Sequence, residues 1–252
     1  MLSNKKFSME MEFSITDWSL LENDWIIALC HIRGGSELGE EWHLGAKGEL
    51  KVKSVQDIIS CADFLIASGW THSSLLAAKS SSAGAGLLAS AMNFRPNLFK
   101  AVNLDVPFLD IRTLLLDEDL PLAIGDKDEF GDIVTDPMAF DVLTSYCPYW
   151  NLRNDTEYPA VLITAYEDDY RTPLWSILKY IKKFRENVAK SRRVEEFCDG
   201  NIVLDLGRGG HLGGGDNQES LKEQTLVNTF FEWIVEEKSL DVVGKKEKFT
   251  GP

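Results

Sequence analysis

Basic residues are the scarcer charge in this chain. Its 252 residues carry 26 Lys and Arg against 40 Asp and Glu, a formal net charge of −14. A surface that acidic repels phosphate backbones and anionic lipid, so neither nucleic acid nor a charged membrane is an expected partner. Long apolar runs are missing as well. No window of transmembrane length is free of charges, and no membrane insertion is expected. Met1 to Ile15 includes Glu10 and Glu12 without an apolar core run, which does not read as a secretory signal. Cysteines are few: Cys30, Cys61, Cys147 and Cys198 stand far apart and lack the spacing of a metal site. Reduced, buried thiols and a cytoplasmic location follow as expectations.

What is present is an ordinary globular composition, 44% apolar, in a length that one α/β domain fills. A single domain over residues 1–252 is expected, with 1–10 and 240–252 as flexible ends. Asp17 to Glu22 reads as a short helix. Trp25 to His31 is a continuous apolar run and reads as a buried strand, followed by a glycine-rich loop from His31 to His43. Ser54 reads as the N-cap of a helix with Val55, Ile58, Ile59, Ala62, Leu65 and Ile66 at helical spacing and Gly69 at its end. Leu75–Lys79, Ala101–Val106, Ala160–Ala165 and Asn201–Leu206 read as further strands. Helices are expected at Leu174–Val188, with a stripe at Ile177, Leu178, Ile181 and Phe184, and at Gln218–Glu237, with Leu221, Leu226, Phe230, Trp233 and Ile234 inward. Residues 109–158, rich in Asp and aromatics and broken by Pro121, Pro137 and Pro148, read as an excursion with short helices that borders a site. Five strands alternating with helices predict a mostly parallel sheet with helices on both faces, and sites at the carboxyl ends of the strands.

The stretch Ala77 to Leu88 reads as strand, sharp turn and helix start, with Ser82 at the tip among small neighbours. A serine there is turned outward, and the first N–H groups of the helix face it. Two further candidates follow strands: Asp168 and Asp169 after Ala160–Ala165, and His211 within Gly207 to Gly215 after Asn201–Leu206. The chemistry needs all three kinds. A serine hydroxyl is a poor nucleophile until a base takes its proton, and a carboxylate fixes the tautomer of that base. The order Ser, Asp, His is that of α/β-hydrolases. His31, His43 and His72 read as structural.

These residues carry a family resemblance. His31 to Gly39, Ser82-Ala83-Gly84, Arg95 to Val102, Val106 to Asp110, Tyr146 to Asn151 and Tyr158 to Ala160 resemble, in order, the catalytic domain of the prolyl oligopeptidase family of serine peptidases. The similarity runs from about Met11 to Glu237 and is strongest toward oligopeptidase B and the prolyl endopeptidase-like proteins. It implies an α/β-hydrolase fold with Ser82 as nucleophile, Asp169 as triad acid and His211 as base. Asp169 is chosen over Asp168 because Asp169-Tyr170-Arg171 matches the family's Asp-x-Arg. The resemblance places Arg171 near the substrate's carbonyls, puts Asp126, Asp128 and Glu129 at an acidic cluster of the substrate site and sets Phe130 at an aromatic position there. No cofactor and no metal are implied, and the substrate is a peptide or an acyl ester. The chain departs from the pattern in four respects. The strand and glycine-rich turn that normally precede Met11 are replaced by Met1 to Phe7. It holds no segment that could form the family's β-propeller. Ser80 and Ala85 replace glycines of the elbow. Phe13 falls near a tyrosine that donates to the oxyanion in prolyl oligopeptidase itself, which leaves the Ala83 N–H as the oxyanion donor. Apart from a hydrolase, the chain also reads as a catalytically silent binding module or as part of a longer protein.

Overall fold

The structure, a computed structural model, describes residues 17–117, 119–120, 126–188, 202–213 and 217–242. Phe13, Cys198, Gly214 and Gly215 and both predicted flexible ends up to residue 10 and beyond 242 lie outside them. In chain order come α1 (Trp18–Glu22), α2 (Glu40–Leu44), a 3₁₀ turn (Gly48–Leu50), α3 (Val52–Ala67), β1 (Ala77–Ser81), α4 (Ser82–Phe94), β2 (Ala101–Asp105) and α5 (Ile111–Leu116). Then follow α6 (Lys127–Phe130), α7 (Pro137–Tyr146), β3 (Ala160–Tyr166), α8 (Leu174–Val188), β4 (Ile202–Gly207) and α9 (Asn217–Val242).

The four strands lie side by side in chain order, all parallel. Their side chains alternate between two covered faces. Val102, Leu104, Val161, Ile163 and Ala165 pack with Ala85, Leu88 and Met92 of α4 and with Ile177, Tyr180, Ile181 and Phe184 of α8. Ala101 and Leu162 point the other way, onto Val227, Phe230 and Phe231 of α9. Register carries the carboxyl ends of the strands to one edge: Ser81 pairs with Asp105, Asp105 with Thr164 and Thr164 with Asp205. There the Thr164 hydroxyl donates to Asp105 Oδ1 at 2.6 Å.

Four sequence expectations are corrected. Trp25 to His31 forms no strand among the described residues. Its apolar run suggested cover on both faces, but Ile26 is 63% exposed, and Trp25 stacks on Phe231 at 6.3 Å between ring centroids. One-sided contact gives no ladder, and the sheet has four described strands rather than five. Ser54 does not cap α3, which starts at Val52. Its hydroxyl reaches out of the helix and donates to the Arg33 carbonyl at 2.7 Å. On α8 the exposed Leu178 gives its predicted inward place to Tyr180. On α9 the buried face is Val227, Phe230, Phe231 and Val235, whereas Leu221, Leu226 and Trp233 are exposed.

Helix α4 is buried from Gly84 to Asn93. One side faces the sheet, and the other packs Leu87 and Ala91 against Phe108 and against Ile111, Leu114, Leu143 and Tyr146 of the excursion. The excursion is bonded back to it, since Asn93 Nδ2 donates to the Pro148 carbonyl at 2.8 Å. A Cβ at Gly86 would sit 2.3 Å from the Phe108 carbonyl oxygen. That neighbour is backbone and cannot swing aside. Gly86→Ala is therefore expected to lower the unfolding free energy by about 3 kcal/mol, the upper end for overpacking, measured as a fall in urea midpoint at constant slope.

Candidate active site

At the end of β1 the backbone turns sharply. Ser82 has φ 54°, a left-handed conformation that side-chain-bearing residues avoid at a cost of about 1–2 kcal/mol. The turn throws its side chain away from the sheet. Across from it, Val106 at the end of β2 is also strained, with φ 38°. The two are held together where Phe108 N–H donates to the Ser82 carbonyl at 3.2 Å and Val106 N–H to the Thr164 carbonyl at 2.8 Å. The residue before α4, Ser81, makes no side-chain cap. The N–H groups of the first turn, Ala83 among them, are thus not occupied by a capping side chain at the place where an anion is best stabilised.

The three chemical candidates meet there. Ser82 Oγ lies 2.9 Å from His211 Nε2, and His211 Nδ1 lies 2.8 Å from Asp169 Oδ2. The tautomer protonated at Nδ1 satisfies both contacts, with the ring donating to the carboxylate and accepting from the serine. Asp169 is buried while Asp168 is exposed, so of the adjacent pair only Asp169 reaches the ring.

Asp169 is over-determined. Its Oδ1 accepts from the backbone N–H of Arg171 at 2.8 Å and of Thr172 at 3.0 Å. Its Oδ2 also accepts from the Thr172 hydroxyl at 2.7 Å. Burial pushes its carboxyl up, but the bonds from His211 and Thr172 outweigh that and hold it below the ordinary carboxylate value. Thr172 was not singled out in the sequence. Its signal is local: an Asp accepting from N–H groups two and three residues on is the usual Asx turn.

The histidine loop has little regular structure of its own and is laced to the aspartate loop. Glu167 N–H donates to the Gly207 carbonyl at 3.1 Å and Asp168 N–H to the Gly209 carbonyl at 3.0 Å. Gly209 at φ 127° and Gly213 at φ 84° make turns there, which accounts for two of the glycines beside His211. Beneath them lies Tyr166, also missed in the sequence. A Cβ at Gly207 would come within 2.9 Å of its ring, and its hydroxyl donates to Glu223 Oε2 on α9 at 2.8 Å. Burial, together with that carboxylate, raises the Tyr166 hydroxyl well above its usual value.

The remaining predicted residues fall in two places. Arg171 is exposed beside Asp169. Asp126, Asp128, Glu129 and Phe130 lie on or next to α6. Glu129 is 1% exposed and ion-paired with Lys51, itself 3% exposed. Asp128 is bonded to Lys47 at 2.7 Å with its own side chain 63% exposed. Asp126 is at the edge of burial. Phe130 is buried, edge-on to Phe108. The same network reaches the glycine-rich loop. His43 Nδ1 lies 2.9 Å from the Gly34 carbonyl, and its Nε2 is 3.7 Å from Glu129. Arg33 forms a bidentate pair with Asp57 of α3. Burial lowers the Lys51 ammonium, partly offset by Glu129.

The residues matched by the model of the prolyl oligopeptidase family are 11–237. The chain belongs to the prolyl oligopeptidase family. A prolyl endopeptidase-like protein of Pongo abelii is 33% identical over 235 residues, 92% of this chain and 31% of that protein. Dipeptidyl aminopeptidase BI of Pseudoxanthomonas mexicana is 34% identical over 179 residues, 71% of this chain and 24% of that protein. Among solved structures, oligopeptidase B from Leishmania major superposes with a TM-score of 0.83 at 32% identity, covering 91% of this chain and 31% of that one. The chain thus spans less than a third of the length of these relatives. Its parallel sheet with helices on both faces is the α/β-hydrolase fold of the prolyl oligopeptidase and oligopeptidase B catalytic domains. None of the helices among the described residues is long and apolar enough to cross a membrane.

Two outcomes follow from these contacts. Asp169, held below its unfolded value, adds stability that is complete above the ordinary carboxylate pKa and is lost as pH falls through the lower folded value. Asp169→Asn is expected to flatten the fall of the denaturation midpoint between about pH 5 and pH 2, measured by urea unfolding across that range. Glu129→Gln leaves Lys51 buried and unpaired, and is expected to cost about 3–5 kcal/mol. Lys51→Met combined with Glu129→Met is expected to recover most of that loss, since it removes both buried charges.

Proposed function

We propose that this chain is the catalytic domain of a serine peptidase that works by acyl transfer through Ser82. The continuous chain of hydrogen bonds from Ser82 Oγ through the His211 ring to Asp169 carries the reading. His211 Nε2 takes the Ser82 proton as Oγ attacks a carbonyl carbon. Asp169, buried and already bonded, stabilises the imidazolium that results without itself being protonated. The oxyanion of the tetrahedral intermediate meets the Ala83 N–H at the uncapped start of α4. His211 then gives its proton to the leaving amine or alkoxide, and water hydrolyses the acyl-enzyme by the same path. A peptide or an acyl ester fits this chemistry, and no cofactor enters it.

In this reading Arg171 faces the substrate's carbonyls from its exposed place beside Asp169. Asp128 is the acidic side chain within reach of a basic substrate residue. Asp126 and Phe130 act on the substrate from beneath, by fixing the helix that carries it. The net charge of −14 favours cationic substrates over nucleic acid. The free thiols of Cys30, Cys61 and Cys147 support a cytoplasmic location.

A fluorophosphonate probe tests the proposal directly. The wild-type chain is expected to be labelled and Ser82→Ala not. A folded wild type that takes up no label would identify a catalytically silent binding module instead. Among hydrolysed substrates, Asp169→Asn is expected to reduce turnover by roughly 10⁴-fold through the wrong tautomer. Asp168→Asn, at an exposed neighbour, is expected to cost on the order of tenfold or less. The reverse ranking would move the triad acid to Asp168.

A further inference from the structure

On a chain of net charge −14, one patch gathers cations instead. It is centred on Trp150, which is 42% exposed. The Arg112 guanidinium, from α5, stands over the indole at 3.4 Å from the ring centroid. Lys179 and Lys183, one turn apart on α8, bring their ammonium nitrogens to 5.9 Å and 5.7 Å from the same centroid. They also share the neighbouring Tyr149 ring, at 4.3 Å and 4.4 Å. Among the described residues, Asp110 is the one carboxylate in ion-pair contact with any of the three. It is fully buried, and both its oxygens are engaged. Oδ2 accepts from Lys179 at 2.6 Å, and Oδ1 accepts from Trp150 Nε1 at 3.0 Å. Lys183 donates to a neutral partner, the Tyr149 carbonyl, at 2.7 Å. The Arg112 side chain has no hydrogen bond and no ion pair among the described residues, and its guanidinium is held by ring contacts alone.

Three cations against one carboxylate leave two positive charges without a counter-charge in contact. Like charges crowded at a partly buried site repel. Burial, reinforced by Lys179 and Arg112, pulls the Lys183 ammonium below its usual value, against the opposing effect of Asp110. An anion seated here relieves that repulsion, and the local charge says which kind. A phosphate dianion cancels two positive charges, whereas a single carboxylate cancels one. We propose that Arg112 and Lys183, beside Trp150, bind the phosphate group of a free small molecule, either a phosphate monoester or inorganic phosphate. The guanidinium, fixed over the ring, offers its N–H groups as a rigid fork to two phosphate oxygens. Lys183 turns its remaining donors to a third oxygen as a point charge. Lys179 stays with Asp110 and adds to the field, while Asp110 pins the indole edge on which Arg112 rests. A lipid surface is not the source of the phosphate, because a bilayer of anionic headgroups meets the whole acidic chain, whereas a small anion meets only the patch within its screening length.

The test titrates the full chain with inorganic phosphate by isothermal calorimetry at about pH 8, above the second phosphate pKa. Acetate is titrated beside it at matched ionic strength. Saturable one-to-one binding of phosphate is expected, with acetate weaker by at least about tenfold. Arg112→Gln is expected to weaken phosphate binding by at least about tenfold, the loss of charge-assisted hydrogen bonds. Lys183→Gln is expected to weaken it by about fivefold. Both variants leave the Lys179–Asp110 pair in place, and their urea midpoints separate lost binding from lost folding. Should Arg112→Gln not fold, Lys183→Gln decides. Vesicles containing phosphatidic acid are expected not to retain the chain. Three results would overturn the proposal: phosphate held no more tightly than acetate, phosphate binding unchanged in the folded variants, or retention by the vesicles without any response to free phosphate.

Discussion

The structure depends on a close approach of backbone to backbone at Gly86. Because nothing projects from that position, α4 lies against the carbonyl of Phe108, and the loop after β2 seats over the start of the helix. That seat is where Phe108 donates to the Ser82 carbonyl. Strain at Ser82 and Val106, of order 1–3 kcal/mol for each such residue, persists because burial on both sides of α4 over-determines it. One cluster presses from the sheet and the other from the excursion. A helix apolar all round is stable only inside such a sandwich, and here the sandwich also aims a hydroxyl.

The other two members of the constellation are held differently. Asp169 sits in a turn whose own N–H groups saturate one carboxylate oxygen, so its place is set within four residues of chain. His211 has no such local frame. Its loop is positioned by backbone bonds to the aspartate loop and by the ring of Tyr166 beneath Gly207, which α9 in turn anchors through Glu223. The His211 ring is thus tied to the end of β3 rather than carried by an independent loop. This keeps the Ser82–His211 and His211–Asp169 distances coupled, as the proposed proton transfer requires.

Much of this was legible in the sequence, for particular reasons. The elbow could be read because small residues and a serine between a short strand and a helix have few other uses. The extent of the helix over Leu174–Val188 could be read because its stripe is amphipathic, although spacing put Leu178 on the wrong side. What failed to show has physical causes too. A run such as Trp25 to His31 states hydrophobicity but not which neighbour will cover it, and here the cover is one ring of α9. Helix α9 is apolar at more positions than one face can bury, so spacing put Leu221, Leu226 and Trp233 on the wrong side. The acidic residues around α6 looked like a free cluster because sequence does not display the lysines, 78 and 81 positions away, that meet them.

Those lysines change what the acidic excursion does. Glu129 is ion-paired with the equally buried Lys51, which lies at the start of α3, beside the 3₁₀ turn. The same stretch places His43 between Glu129 and the Gly34 carbonyl. The excursion, α3 and the glycine-rich loop are therefore one electrostatic unit, built next to the apolar unit of α4 and sharing Phe130 and Val55 with it. Asp128, left at the surface of that unit with Lys47, has an ion pair that solvent screens and that contributes little to stability. Under the proposed function its charge is consequently the one that can turn to a substrate without unfolding what lies beneath.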